Sequence, residues 1–237
     1  MVKEVLQNMP HERGFFMTNN NKLRSPWMPK ADTVTVLLAR HCQTTMNIRP
    51  ELVGGRSNDA SLTPKGISQA EQLGKWLFAN QVAPKDVYTY TALRTQQTAR
   101  VALAAMGIDE MPITKTPDIL ELSQGEAEGI PRDEVYTNRV LQAIKEQGKD
   151  FKQPGGESMN DVGQRMIDWL NTLPQEEAIH LTVTHGGSIK YLASLIYGWR
   201  HSTTYRQQID NGSITVVTRN LSTPSNWQVN LLNHPTS

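Results

Sequence analysis

The chain contains one cysteine, Cys42, in 237 residues, so an internal disulfide framework is excluded and a reducing compartment fits. No apolar run approaches the ~20 residues that cross a bilayer, so membrane attachment through a helix is not expected. An excess of one charge is missing as well. Lys and Arg number 24 against 23 Asp and Glu, a formal net charge of +1, and no global field marks the chain for nucleic acid. Any preference for anions must come from cations placed locally. No His, Asp and Glu cluster has metal-ligand spacing, so neither a metal nor an organic cofactor is expected. The N-terminus lacks the apolar core of a signal peptide, and Glu4 and Glu12 run against a transit peptide; the expectation is a cytoplasmic protein. Internal repeats and low-complexity linkers are absent after residue 31.

What is present is organised around Thr33–Asn47. Thr33 to Ala39 is β-branched and apolar almost throughout, as in a strand buried on both faces. Arg40 and His41 follow at once. A cation and an imidazole at the carboxyl end of a buried strand sit where open α/β sheets place their ligand crevice. Before this strand, residues 1–31 are Asn-rich and punctuated by Pro26 and Pro29, with Phe15, Phe16 and Trp27 among them. They read as an irregular arm, and 32–237 as one domain.

Beyond the first strand, Glu51 to Leu62 reads as a loop, and Thr63-Pro64 opens a helix with a hydroxyl cap and a proline in the first turn. Lys85 to Thr89 is a second strand, Ala92 to Met106 a helix stopped by Gly107, and Pro112 to Thr116 a short third strand. Asp118 to Arg132 reads as a loop, Asp133 to Gln147 as a polar helix, and Ser158 to Leu173 as an amphipathic one. Ala178 to Thr184 is a strong strand, followed by helix from Ser188 to Tyr197. Ser213–Thr218 and Trp227–Leu231 read as two final strands, paired antiparallel. Alternating strand and helix predict an α/β fold with a helix-flanked, mostly parallel sheet.

The residues that bear chemistry lie at the strand ends. His41 is the candidate nucleophile, because neutral imidazole is nucleophilic near pH 7 and a phosphoramidate hydrolyses readily. A structural histidine is the alternative. Phosphoryl transfer spreads negative charge over three oxygens and needs fixed donors. Arg40 supplies a bidentate fork, and Arg94, in the first turn after the second strand, is the other candidate, unless it is a solvated helix arginine. His185 ends the strand Ala178–Thr184 and precedes a helix, so its ring and the amides at Gly186 would both face a bound anion.

Arg40-His41-Cys42-Gln43-Thr44 with Asn47 resembles the Arg-His-Gly-Glu-Thr/Ser-x-x-Asn signature of the histidine phosphatase (phosphoglycerate mutase-like) superfamily. Tyr90 to Ala99 resembles its Ser-x-x-x-Arg-x-x-Gln-Thr-Ala segment, Leu120 to Gly129 its Leu-x-Glu…Gly-x-x-Glu-Gly stretch, and Thr182 to Gly187 its second histidine motif. The resemblance runs from about Val34 to Leu232 and implies a single-domain three-layer α/β/α sandwich. It implies a phosphohistidine at His41, and phosphate contacts from Arg40, Arg94, His185 and Gly186. Thr44 and Asn47 match positions that contact phosphate or order the loop; Asn47 serves equally well as a local cap. It also implies that Glu121 protonates the leaving oxygen, with Glu126 and Glu128 as rival acids or plain loop charges.

Two positions depart from the pattern. Cys42 replaces glycine, which predicts a side chain near the phosphate and sensitivity to oxidation; Gln43 replaces glutamate. A cysteine-dependent phosphatase needs Cys, five residues, then Arg, and here the arginine, Arg49, comes one residue late. An inactive member that binds a phosphorylated ligand or a protein remains an alternative, as does a cofactor-dependent phosphoglycerate mutase. The preferred reading is a metal-independent phosphatase acting on a small phosphorylated metabolite, with a homodimer left open. The mutases carry a long segment with an arginine pair after the glutamate, whereas here 35 residues separate Glu121 from Glu157 and contain no such pair.

Overall fold

Apolar β-branched runs alternate with amphipathic stretches, and they assemble into one helix-flanked sheet. The computed structural model describes residues 31–224 and 226–236, and upstream of these only the backbone of 16–17 and 23–24. Those two segments, β1 (Phe16–Met17) and β2 (Leu23–Arg24), pair antiparallel. The remainder of the arm expected for 1–31, with Phe15 and Trp27, lies outside the described residues.

The main sheet comprises β3 (Thr33–Arg40), β4 (Asp86–Thr89), β5 (Ile113–Lys115), β6 (Ala178–Thr184), β7 (Ile214–Asn220) and β8 (Trp227–His234). Their order is β5-β4-β6-β3-β7-β8. β3 to β6 run parallel, whereas β7 is antiparallel to β3, and β8 to β7. The expected mostly parallel sheet is therefore present, closed on one side by the antiparallel pair foreseen for the end of the chain. The helices are α1 (Pro64–Ala79), α2 (Leu93–Met106), α3 (Arg132–Val135), α4 (Asn138–Gln147), α5 (Met159–Thr172), α6 (Gly186–Tyr197) and α7 (His201–Arg206).

Burial explains why β3 is apolar on both faces. Leu37 and Ala39 pack on one side with Leu73 and Leu77 of α1 and with Ala99 and Leu103 of α2. Val34, Val36 and Leu38 pack on the other with Met166, Trp169 and Leu170 of α5 and with Ile189 and Leu192 of α6. Strand alternation sends successive side chains to opposite layers, which yields the three-layer sandwich. The helix starts are chemically fixed. Thr63 accepts a hydrogen bond from Gly66 N, and Ser158 and Asp161 cap each other's backbone amides.

Several elements differ from expectation. The helix expected over Asp133–Gln147 is two, because Thr137 caps a fresh start by accepting from Val140 N. α6 begins at Gly186 and not at Ser188; extended His185 is its cap, so both glycines lie inside the first turn. Helix propensity penalises glycine and hides this start. α7 has no apolar period and was not expected; Thr204 holds it by a 2.6 Å hydroxyl pair with Ser194. β7 runs on to Asn220 because buried Arg219 stacks over Trp227, 4.7 Å from the ring centre, and donates to Leu173 O.

Candidate active site

β4, β6 and β3 are neighbours and parallel, so their carboxyl ends open at one edge of the sheet. His41 follows β3, His185 follows β6, and Arg94 enters α2 just after β4. The backbone locks these ends together: His41 N donates to Thr184 O at 2.9 Å, and Asn211 Nδ2 donates to His41 O at 2.8 Å. The two imidazoles meet edge to face with ring centres 5.3 Å apart, and Tyr90 flanks His185 at 5.7 Å.

The tautomer of His41 follows from its partner. Nδ1 lies 2.9 Å from Cys42 O, and a carbonyl only accepts, so Nδ1 carries the proton and Nε2 keeps its lone pair. Burial, then Arg40 and Arg94, hold the His41 pKa well below the usual range, so the ring is neutral at pH 7. Burial, then Arg94, His41 and Arg40, do the same for His185. Both ring nitrogens of His185 and Nε of Arg40 are buried with no protein partner. A buried polar atom without a partner costs about 1–3 kcal/mol, and the Arg40 guanidinium, which lines the pocket, is preorganised for a ligand there.

The pocket holds about 150 Å³ and is lined by Arg40, His41, Thr44, Asn47, Arg94 and Glu121, among others. That is room for an anion of phosphate size, with the remainder of any ester outside. Arg40 donates through NH1 to Ile209 O at 2.6 Å. Arg94 is buried and donates to the carbonyls of Ser57 and Gly55, which fixes the loop over the pocket. It is therefore not a solvated helix arginine. Burial works against both guanidinium charges and Glu121 works for them, the largest favourable influence on each. A separate cleft of about 900 Å³ between α4 and α7 shares no lining residue with this pocket.

Glu121 is held at both oxygens. Oε1 accepts from Leu122 N at 2.8 Å and Oε2 from Gly187 N at 3.1 Å. A methyl group on Gly187 would come within 2.1 Å of Oε1, so the carboxylate takes up the space that glycine leaves. Its chain segment is tied down from behind. Thr184 Oγ1 donates to Ile119 O, Ser188 Oγ to Leu120 O, and Arg165 to the carbonyls of Asp118 and Leu120. Glu157 pairs with Arg165 at 3.1 Å and with Arg56 at 2.7 Å, and Arg56 Nε donates to Glu121 O. This scaffold of Arg56, Glu157, Arg165 and Ser188 escaped sequence reasoning. Its contacts are mostly to backbone carbonyls, which leave no pattern. Asn211 also escaped, although Asn211-Gly212 is a turn signal.

Other expected residues fall as follows. Asn47 Oδ1 accepts from Thr44 N at 3.0 Å and Thr44 Oγ1 at 3.1 Å, so these two staple the loop at the pocket wall. Gly186 lies where a methyl group would sit 3.0 Å from Arg40 Nε. Glu126 is exposed, and Glu128 accepts from the amides of Gln124 and Arg56. Cys42 corrects the sequence reading. Its side chain is fully buried with Leu62 and Ala70 and does not line the pocket; burial pushes the thiol pKa up to about 12. Sensitivity to oxidation is not supported by that environment. Gln43 accepts from Thr63 Oγ1 at 2.9 Å and orders the start of α1. Among the described residues no group of three or more His, Cys, Asp or Glu could hold a metal, and no helix is long and apolar enough to cross a membrane.

Fold and site together define an α/β protein with a cationic pocket at its strand ends, lined by His41, with His185 buried edge to face behind it and outside the lining. The chain belongs to the histidine phosphatase superfamily (branch 1), whose family model matches residues 36–234. A 2,3-bisphosphoglycerate-dependent phosphoglycerate mutase of Methylobacterium radiotolerans is 28% identical over 195 residues, covering 79% of this chain and 91% of the relative. In fold, the chain resembles phosphoglycerate mutase of Bacillus anthracis, with TM-score 0.72, 19% identity, and 86% and 95% of the two chains covered. It equally resembles the alpha-ribazole phosphatase of Shigella flexneri, with TM-score 0.70, 22% identity, and 85% and 96% covered.

Proposed function

We propose that residues 32–237 form a phosphomonoester hydrolase acting on a small phosphorylated metabolite through a phosphohistidine at His41. The observation that carries the reading is the His41 tautomer: an unprotonated Nε2 on a ring that lines a pocket with two arginines, with His185 packed against that ring. In the first step Nε2 attacks phosphorus and the phosphorus–oxygen ester bond breaks. Glu121 gives its proton to the departing alkoxide. Arg40, Arg94 and His185 donate to the three equatorial oxygens, where the charge is spread. In the second step water attacks phosphorus, the nitrogen–phosphorus bond breaks, and Glu121 takes the proton of the water. Orthophosphate leaves, and His41 and Glu121 return to their starting states.

We prefer hydrolysis over mutase chemistry because of the length of chain that follows Glu121. A mutase must keep water from the phosphohistidine while a bisphosphorylated intermediate turns over. Only 35 residues separate Glu121 from Glu157, a short segment from which to build a cover. Such a cover supports entry of water. The mutase reading draws its support from the names of the sequence relatives. To separate the two, 3-phosphoglycerate is supplied with a trace of 2,3-bisphosphoglycerate and both products are followed. Inorganic phosphate should form faster than 2-phosphoglycerate; the reverse order would promote the mutase.

A further inference from the structure

Glu128 is a carboxylate that the proposed chemistry does not use. It does not line the phosphate-sized pocket, so it is no rival to Glu121 as the acid. Nor is it a plain loop charge. Oε2 accepts from Arg56 N at 2.9 Å and Oε1 from Gln124 N at 2.9 Å, so one side chain ties two loops together. Bonds from amides to an ionised carboxylate are roughly twice as strong as neutral ones. Gly55 makes room for the group: a methyl there would fall 2.3 Å from Glu128 Cδ and 2.4 Å from Oε1.

The loop that Glu128 clasps is the one that orients Arg94. Arg94 donates to the carbonyls of Gly55 and Ser57, the two neighbours of the amide that Glu128 holds. Leu93 N donates to Asn58 O at 2.8 Å, one residue further on. On its other side the loop is stitched to the segment of Glu128 itself, with Val53 N donating to Ile130 O and Gly129 N to Val53 O, both at 2.9 Å. Gly54 and Gly55 lie in this stretch, and glycine keeps a fixed course only where partners impose one. Burial and Arg40 work against the charge of Arg94, and Glu121, Tyr90 and Glu128 support it. A guanidinium carries five N–H donors in a rigid fork. Two carbonyls take up one donor on each terminal nitrogen, so they dictate where the remaining donors point.

We infer that Glu128 is a positioning residue: it sets the Gly55 and Ser57 carbonyls and, through them, the angle at which Arg94 meets a phosphoryl group. This rests on the reading of the strand-end pocket as the phosphate site.

Binding tests it without turnover. Orthophosphate is titrated calorimetrically into the full chain, Glu128→Ala, Arg94→Ala and the double variant. Misalignment of one charge-assisted donor predicts phosphate binding about tenfold weaker in Glu128→Ala. With Arg94→Ala already in place, the same substitution should change affinity by less than about twofold, because nothing is left to position. A residue that merely held the fold together would weaken both backgrounds alike. Gly55→Ala gives a second route, since its methyl displaces the carboxylate and keeps the charge; it should weaken phosphate binding in the wild type and add little in Glu128→Ala. Glu128→Ala should also slow alkyl and aryl phosphate esters by the same factor, whereas loss of an acid would spare p-nitrophenyl phosphate.

Unchanged affinity in Glu128→Ala and Gly55→Ala, where Arg94→Ala still weakens it, overturns the inference alone, as do equal losses with and without Arg94. Affinity that Arg94→Ala leaves unchanged faults the phosphate pocket, and the inference falls with it. Release of phosphate from p-nitrophenyl phosphate reports the hydrolase reading separately. The expected affinities in a chain that releases no phosphate would fault the chemistry and leave the positioning role standing.

Discussion

Gly187→Ala tests Glu121, the proposed acid, separately from the proposed phosphate pocket. The added methyl carbon would stand 2.1 Å from Glu121 Oε1, 3.1 Å from its Cδ and 3.2 Å from Tyr191 Cε2. Carbon and oxygen approach no closer than about 3.3 Å even in favourable contacts, so the carboxylate must retreat by about 1 Å. It would also strain its bond to Gly187 N. Displacement of a reacting group by 1 Å costs about 10²-fold in rate. The protein itself should fold normally: Gly187 lies in helix α6, where alanine is favoured over glycine by about 0.5–1 kcal/mol, and the clashing atom ends a side chain. The assay is kcat/KM for two esters, an alkyl phosphate whose alkoxide needs a proton and p-nitrophenyl phosphate, whose leaving group hardly does. The alkyl ester should slow by about 10²-fold and the aryl ester by less than about fivefold. Gly186→Ala should act differently, because its methyl meets Arg40 Nε at 3.0 Å, and both esters should slow alike. An equal fall for both esters in Gly187→Ala, matched by Glu121→Gln, would refute the assignment of Glu121 as the acid.

Two further outcomes follow from the same geometry. His41→Ala should lose about 10³-fold or more of turnover, whereas Cys42→Ser should keep most of it, since the thiol is buried away from the pocket; a dead Cys42→Ser with an active His41→Ala would overturn the mechanism. Stability should fall as pH drops below about 6.5, because the unfolded chain gains protons at His41 and His185 that the folded chain, with both values depressed, refuses. His185→Gln should flatten that slope by about 1 kcal/mol per pH unit averaged over pH 5 to 7, read from urea unfolding, and an unchanged slope would show that His185 titrates freely in the native state.

The sequence was most legible where periodicity and chemistry coincide. β3 and β6 were readable because their buried positions are filled by apolar and β-branched residues, and the Arg40-His41 pair and His185 end those runs abruptly. Arg94 and Glu121 were found through resemblance, but their anchors were not. Arg165, Ser188 and Arg56 act on backbone oxygens, and such contacts impose no residue type on the acceptor. The direction of Cys42 could have been read by carrying strand alternation past Arg40. Neighbours point to opposite sides, so a residue after a pocket-facing histidine turns to the core. α7 had no such cue, since its hold on the fold is one pair of buried hydroxyls.

The central place of β3 has a consequence for how activity is acquired. Its neighbours β6 and β7 come from the last third of the chain, and Asn211 reaches His41 O across a sequence separation of 170 residues. Closing so large a loop must precede the contacts that reward it, and sheets paired over such spans form slowly. During synthesis His41 emerges before β6, and it has no second imidazole beside it until β6 is released and pairs. A truncated or half-folded chain therefore holds an ordinary, solvated histidine at position 41 and should lack the proposed chemistry. Competence arrives with the last strands, which makes activity a sensitive reporter of complete folding.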